Sequence, residues 1–271
     1  MQPDFVPPNV RFEIDNAEAE WTWDDDTFDF IHIRTLTGSI KDWDRLYEQA
    51  FRCLKPGGWL EHHENSIKWA CQNNTITEDS ALGQWHKVLW RAGELMGQTF
   101  KVVDDDIQKP GMERVGFVNL NVRDLKAPYG DWAQGRTDRA IGNFSKLTFD
   151  KDPEGKSLSS QISVYHRLSL QLTLTNALGW VLYMWNTVLG WTHDEARVYI
   201  AYVRNQLNHP RAQHYINHRV VWGQKPQKDA PEDGPGLQEP TTPMVKPMMP
   251  IATGKVPREG KVEAAGQVQS H

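Results

Sequence analysis

Cysteine is nearly missing from this 271-residue chain, which has only Cys53 and Cys71. Two thiols cannot build a disulfide framework or a four-thiolate zinc site, and a reducing intracellular setting is the simplest reading. A basic surplus is missing too: 30 Lys+Arg against 35 Asp+Glu leave a formal charge of −5. A dedicated nucleic-acid binder carries a clustered positive excess, so direct nucleic-acid binding is not expected. Long apolar runs are also absent. The best, Ala177 to Trp191, falls short of the roughly 18–20 residues of a membrane span and contains Asn186. The start, Met1-Gln2-Pro3-Asp4, has neither the basic nor the apolar region of a signal peptide. No repeat of fixed period is visible. Tryptophan is what the chain has in quantity, with 12 residues that promise a well-packed aromatic core.

Aromatics are missing altogether from residues 225–271, which hold half of the 16 prolines. Such a stretch buries too little apolar surface to offset its ordering entropy, and it is expected to be a disordered tail behind a domain over residues 1–224. Inside that domain, Val10 to Ile14 alternates apolar and polar residues like a strand. Phe28 to Ile33 is a denser run suited to a buried strand. Leu46, Tyr47, Ala50, Phe51 and Leu54 lie on one face of a helix running from Lys41 or Asp42 to Leu54. Lys55-Pro56-Gly57-Gly58 stops that helix, and Trp59 to Glu64 reads as the next strand. This strand–helix–strand rhythm predicts an α/β fold with a parallel sheet.

Further on, Leu82, Trp85, Val88, Leu89, Ala92 and Met96 form a helical stripe, read as core or lid packing with a substrate-pocket lining as the alternative. A shorter helix is expected from Asp105 to Val115, poorly compatible with Pro110. Phe117 to Val122 and Arg219 to Trp222 read as strands, and Thr192-His193-Asp194-Glu195 is a capping box. Residues 156–176 mix both periods and are set apart as an insertion, with translated non-coding sequence as one explanation.

No metal site is expected. His62 and His63 are neighbours on a strand and point to opposite faces, so they cannot share an ion. His214 and His218 have the spacing of a helical pair but lack a third ligand. The aspartate runs at 24–26 and 104–106 read as solvated turns and helix-start charges. His32 and Glu64, each on a strand, are the candidates for general acid–base work.

Three stretches in order resemble fungal S-adenosylmethionine-dependent methyltransferases of the LaeA-like group: Val10-Arg11-Phe12-Glu13-Ile14-Asp15-Asn16-Ala17-Glu18, then Phe28 to Arg34, then Leu54-Lys55-Pro56-Gly57-Gly58-Trp59-Leu60-Glu61. The resemblance resumes at Val118-Asn119-Leu120, Leu189-Gly190-Trp191 and Val220 to Pro226. It implies a class I, Rossmann-like sheet of order 3-2-1-4-5-7-6 with S-adenosyl-L-methionine as cofactor. Asp15, Asn16, Ala17 and Glu18 would meet the adenine, Asn16 accepting from its amino group and the Ala17 N–H pairing with a ring nitrogen. Arg34 would lie toward the methionyl end or the substrate.

The family's first strand, glycine-rich turn and second strand would precede Met1. The resemblance therefore implies a sheet lacking its first two strands, a Val10 strand either collapsed against the Phe28 strand or poorly held, and impaired methyl transfer to a small-molecule or protein acceptor. The alternative it implies is a non-catalytic interaction protein, with velvet-type regulators as partners, in the cytoplasm or nucleus.

Overall fold

The computed structural model describes residues 7–151 and 184–227. The insertion at 156–176 and nearly all of the expected tail lie outside them. Strand β1 (Phe28–Arg34) leads through helix α1 (Trp43–Cys53) into β2 (Leu54–Cys71). Helices α2 (Ala81–Met96) and α3 (Gln108–Val115) follow, then β3 (Val118–Pro128), α4 (Arg136–Lys151), α5 (His193–Leu207) and β4 (His214–Gln224).

The four strands form one sheet of order β1-β2-β4-β3. β1 and β2 are parallel, as the strand–helix–strand rhythm predicts. The sheet as a whole is mixed, which corrects the expectation of a parallel one, because β4 runs antiparallel to both β2 and β3. The last described strand thus inserts between two earlier ones, the 4-5-7-6 part of the order that the resemblance implies. α1 starts where the Asp42 side chain accepts from Arg45 N at 3.0 Å, a local cap that offsets the unpaired donors of the first turn.

Three other expectations need correction. Val10 to Ile14 is no strand: it has no ladder partner among the described residues, and Ile14 is 97% exposed. Alternation without a neighbouring strand leaves the backbone groups to water or to turns, and Val10 N donates to Pro7 O instead. Pro110 costs α3 nothing, because it is the third residue of a helix beginning at Gln108, where its missing N–H would have had no intrahelical acceptor. His214 and His218 sit on β4, not on a helix, so their Cα atoms lie about 13 Å apart along the strand and cannot chelate one ion.

The described residues hold two apolar cores. One joins α1 and α3 to the sheet through Ile33, Leu46, Tyr47, Leu60, Met112 and Val221. The other gathers α2, α5 and residues 184–191 around Trp185, whose ring meets those of Trp85, Trp191 and Tyr199 at 5.0–5.7 Å. The Leu82–Ala92 stripe belongs to this second core, as its packing reading foresaw. Among the described residues no helix is long and apolar enough to cross a membrane.

Candidate active site

A cavity of about 590 Å³ opens along the β1 edge that no other described strand covers. Its floor is β1, from Phe28 to Arg34, and its wall is the irregular segment that carries Glu13, Asp15, Asn16, Ala17, Trp21 and Trp23. An irregular wall needs its backbone polar groups satisfied from elsewhere, and α1 supplies two side chains for this. Gln49 accepts from Trp21 N at 2.6 Å and donates to Ala19 O at 2.7 Å. Arg52 donates to Trp21 O and Trp23 O, each at 2.9 Å, and to Asp25 at 2.7 Å. The indole of Trp21 returns a bond to Ala17 O at 3.1 Å. Trp21, Trp23 and Phe28 then stack edge to face at 5.4 Å. Sequence reading missed Gln49 and Arg52. Their only signal was a pair of polar residues on a helix facing an apolar strand run.

The cavity brings together Asp15, Asn16, Ala17, Arg34 and His32, which the sequence had singled out. Asn16 Oδ1 is turned inward on its own loop, accepting from Glu18 N at 3.0 Å. Its amide N–H₂ and the Ala17 N–H make no hydrogen bond among the described residues and remain available as donors. Glu18 lies aside, in a shallower neighbouring cavity of about 240 Å³, and accepts from Lys41 N at 2.7 Å just ahead of α1. Arg34, at the end of β1, is exposed.

The two acid–base candidates go different ways. His32 lines the cavity, with Nδ1 at 2.9 Å from Glu61 Oε1 on β2 and both side chains about one-third exposed. Glu64 is 1% exposed and is not among the residues lining the cavity. Its carboxylate accepts from Leu36 N at 2.6 Å, Thr37 Oγ1 at 2.9 Å and Thr37 N at 3.3 Å. It thereby holds the loop that leads from β1 toward α1. His62 closes the same buried chain, with Nε2 at 3.2 Å from Glu64 and Nδ1 at 2.8 Å from Tyr47 Oη. Burial, reinforced by the Glu64 charge, pushes the Tyr47 phenol well above its ordinary value, so it stays protonated and donates to Nδ1. His62 Nε2–H in turn donates to Glu64.

A second histidine pair spans β2 and β4: His63 Nε2 and His218 Nδ1 are 3.1 Å apart. Burial, aided by the neighbouring His63, pushes the His218 imidazole down to about 4, and burial lowers His63 as well. Both rings are therefore neutral near pH 7. No group of three or more His, Cys, Asp or Glu side chains among the described residues is placed to hold a metal ion.

Residues 3–121 match the family described as a methyltransferase domain. This match and the reversed strand in the sheet make the chain similar to class I, Rossmann-like methyltransferases, and the curated relatives it resembles include LaeA-type proteins. The chain shares 29% identity over 168 residues with the secondary metabolism regulator LAE1 of Cochliobolus heterostrophus, covering 61% of this chain and 54% of that protein. With methyltransferase pytC of Aspergillus terreus it shares 29% over 230 residues, 83% of this chain and 61% of the relative. With the protein-methionine methyltransferase laeA of Emericella nidulans it shares 28% over 167 residues, 61% and 44% respectively. The chain spans about half to three-fifths of the length of the first two relatives. A solved phosphoethanolamine N-methyltransferase of Haemonchus contortus overlays at 15% identity over 78% of this chain and 36% of that one, with a TM-score of 0.37, too remote to inform the site.

Proposed function

We propose that the cavity along β1 binds the adenosyl part of S-adenosyl-L-methionine and that the chain transfers a methyl group from it to a small-molecule or protein acceptor. The observation that carries this is the wall itself: flat aromatic rings from Trp21, Trp23 and Phe28 beside the unengaged N–H of Ala17 and the amide of Asn16. Rings on that scale give a purine an apolar slot, and two fixed polar groups orient it. The cavity volume is within the usual range for small-molecule sites.

When bound, the cofactor would supply an electrophilic methyl on a sulfonium. The protein's share is positioning and exclusion of water, since displacement at such a carbon needs alignment more than covalent help. Asn16 presents its N–H₂ rather than its engaged Oδ1, so it favours the acceptor nitrogens of adenine over the amino group. Arg34, which lines the same cavity, would supply a cation toward the methionyl end or the substrate. No glycine lines the cavity, so no glycine-rich turn of the described residues adds main-chain donors there.

Binding without catalysis, to a velvet-type regulator, is favoured by a different observation: Phe30 is 55% and Ile14 97% exposed beside the uncovered β1 edge. One titration separates the two. S-adenosylhomocysteine, followed by calorimetry and by melting temperature, raises the transition as its concentration passes Kd, by about 2.7 kcal/mol of added stability at a hundredfold excess. A clear melt that S-adenosylhomocysteine leaves unmoved at millimolar concentration would refute the cofactor site and leave the binding role.

A further inference from the structure

We propose that His32 is the general base for the methyl acceptor, fixed in its working tautomer by Glu61, and that the acceptor is therefore a group that gives up a proton: a hydroxyl, an amine or a thiol. The inference rests on the cofactor site proposed above and adds to it the class of the second substrate.

His32 stands directly opposite Glu61 in the β1–β2 register, and Nδ1 meets Oε1 at 2.9 Å. A carboxylate only accepts, so Nδ1 carries the proton and Nε2 keeps its lone pair. Phe30 stacks on the same ring at 6.4 Å with an interplanar angle of 24°, which limits its rotation. Nε2 has no hydrogen-bond partner among the described residues, and His32 is the only imidazole lining the cavity. The other histidines nearby are committed: His62 to Tyr47 and Glu64, and His63 to His218.

A base with one ring nitrogen held by a carboxylate and the other unpartnered, on a residue that lines the cavity, is the arrangement that proton abstraction requires. The acceptor's X–H bond breaks and its proton goes to Nε2. Its electron pair forms the bond to the methyl carbon, and the carbon–sulfur pair stays with the sulfur. Glu61 then faces an imidazolium and stabilises it. A thioether acceptor has no proton to lose and gives this pair nothing to do.

The test uses the full chain, ¹⁵N-labelled, with long-range ¹H–¹⁵N spectra of the histidine rings at neutral pH. His32 should be in the Nδ1–H form, keep it in Glu61→Gln, whose carbonyl still accepts, and revert in Glu61→Leu to the Nε2–H form that an unpartnered imidazole favours. Carbethoxylation by diethylpyrocarbonate, mapped by mass spectrometry, should mark His32 at Nε2 and slow several-fold in Glu61→Leu but not in Glu61→Gln. An Nε2–H tautomer in the parent chain, or reactivity indifferent to Glu61→Leu, overturns the proposal. The cofactor site is judged separately by the S-adenosylhomocysteine melt. If that ligand binds while His32 holds the wrong tautomer, only the base is refuted; if it fails to bind, both fall together.

Discussion

Replacing Glu64 probes the buried chain that shapes the cavity's rim, because its carboxylate takes three hydrogen bonds from the loop after β1. Glu64→Leu substitutes an apolar side chain and removes the acceptor for Leu36 N, Thr37 Oγ1 and His62 Nε2. A buried donor left unmet costs about 1–3 kcal/mol. Leu36 and Thr37 are only half-buried, so water recovers part of their loss, whereas His62 is fully buried and recovers none. The expected loss is about 3–4 kcal/mol, which for a domain of this size lowers Tm by roughly 8–12 °C.

Glu64→Gln separates hydrogen bonding from charge. Its carbonyl still accepts from Leu36 N, its amide can donate to Thr37 Oγ1, and the loss should be about 1–2 kcal/mol. Urea unfolding with a shared m-value gives both numbers. If Glu64→Gln is as damaging as Glu64→Leu, charge rather than donor satisfaction governs the site. If Glu64→Leu costs under about 1 kcal/mol, the carboxylate does not hold the loop, and the reasoning fails outright.

Two other outcomes are expected. The His218 imidazole titrates at about 4 in the folded chain and near its ordinary value of about 6.5 when unfolded, so between these the unfolded state binds the extra proton. Stability is therefore full above about pH 6.5 and falls as pH drops toward 4, by up to about 3 kcal/mol, and His218→Gln should flatten that decline in urea midpoints taken at pH 7 and pH 4.5. Thr192→Ala removes the cap that holds Glu195 N and the hydroxyl that meets the Glu195 carboxylate, and should cost about 1 kcal/mol in the same assay with the S-adenosylhomocysteine response unchanged.

By itself the sequence determined the β1–α1–β2 unit, the α2 stripe and the capped start of α5. These rest on short-range physics, namely side-chain periodicity and caps reaching three residues along the chain, which any window of the sequence displays. Residues at the cavity were also legible, because Asn16 and Ala17 on the loop and His32 and Arg34 on β1 fall in stretches with a family resemblance. The assignments within the cavity were not. Whether Val10 to Ile14 becomes a strand depends on a neighbour to pair with, and local alternation says nothing of that neighbour. Glu64 and Glu61 are three residues apart on one strand, yet one is sealed against the β1–α1 loop and the other meets His32, since the opposite faces of a sheet lead to different surroundings. The pairing of His63 with His218 joins residues 155 positions apart, and only the insertion of β4 between β2 and β3 brings them together. Tertiary structure alone decided which polar group each buried donor finds, because that choice belongs to strands and helices distant in sequence, and it is those choices that leave one imidazole open to the cavity.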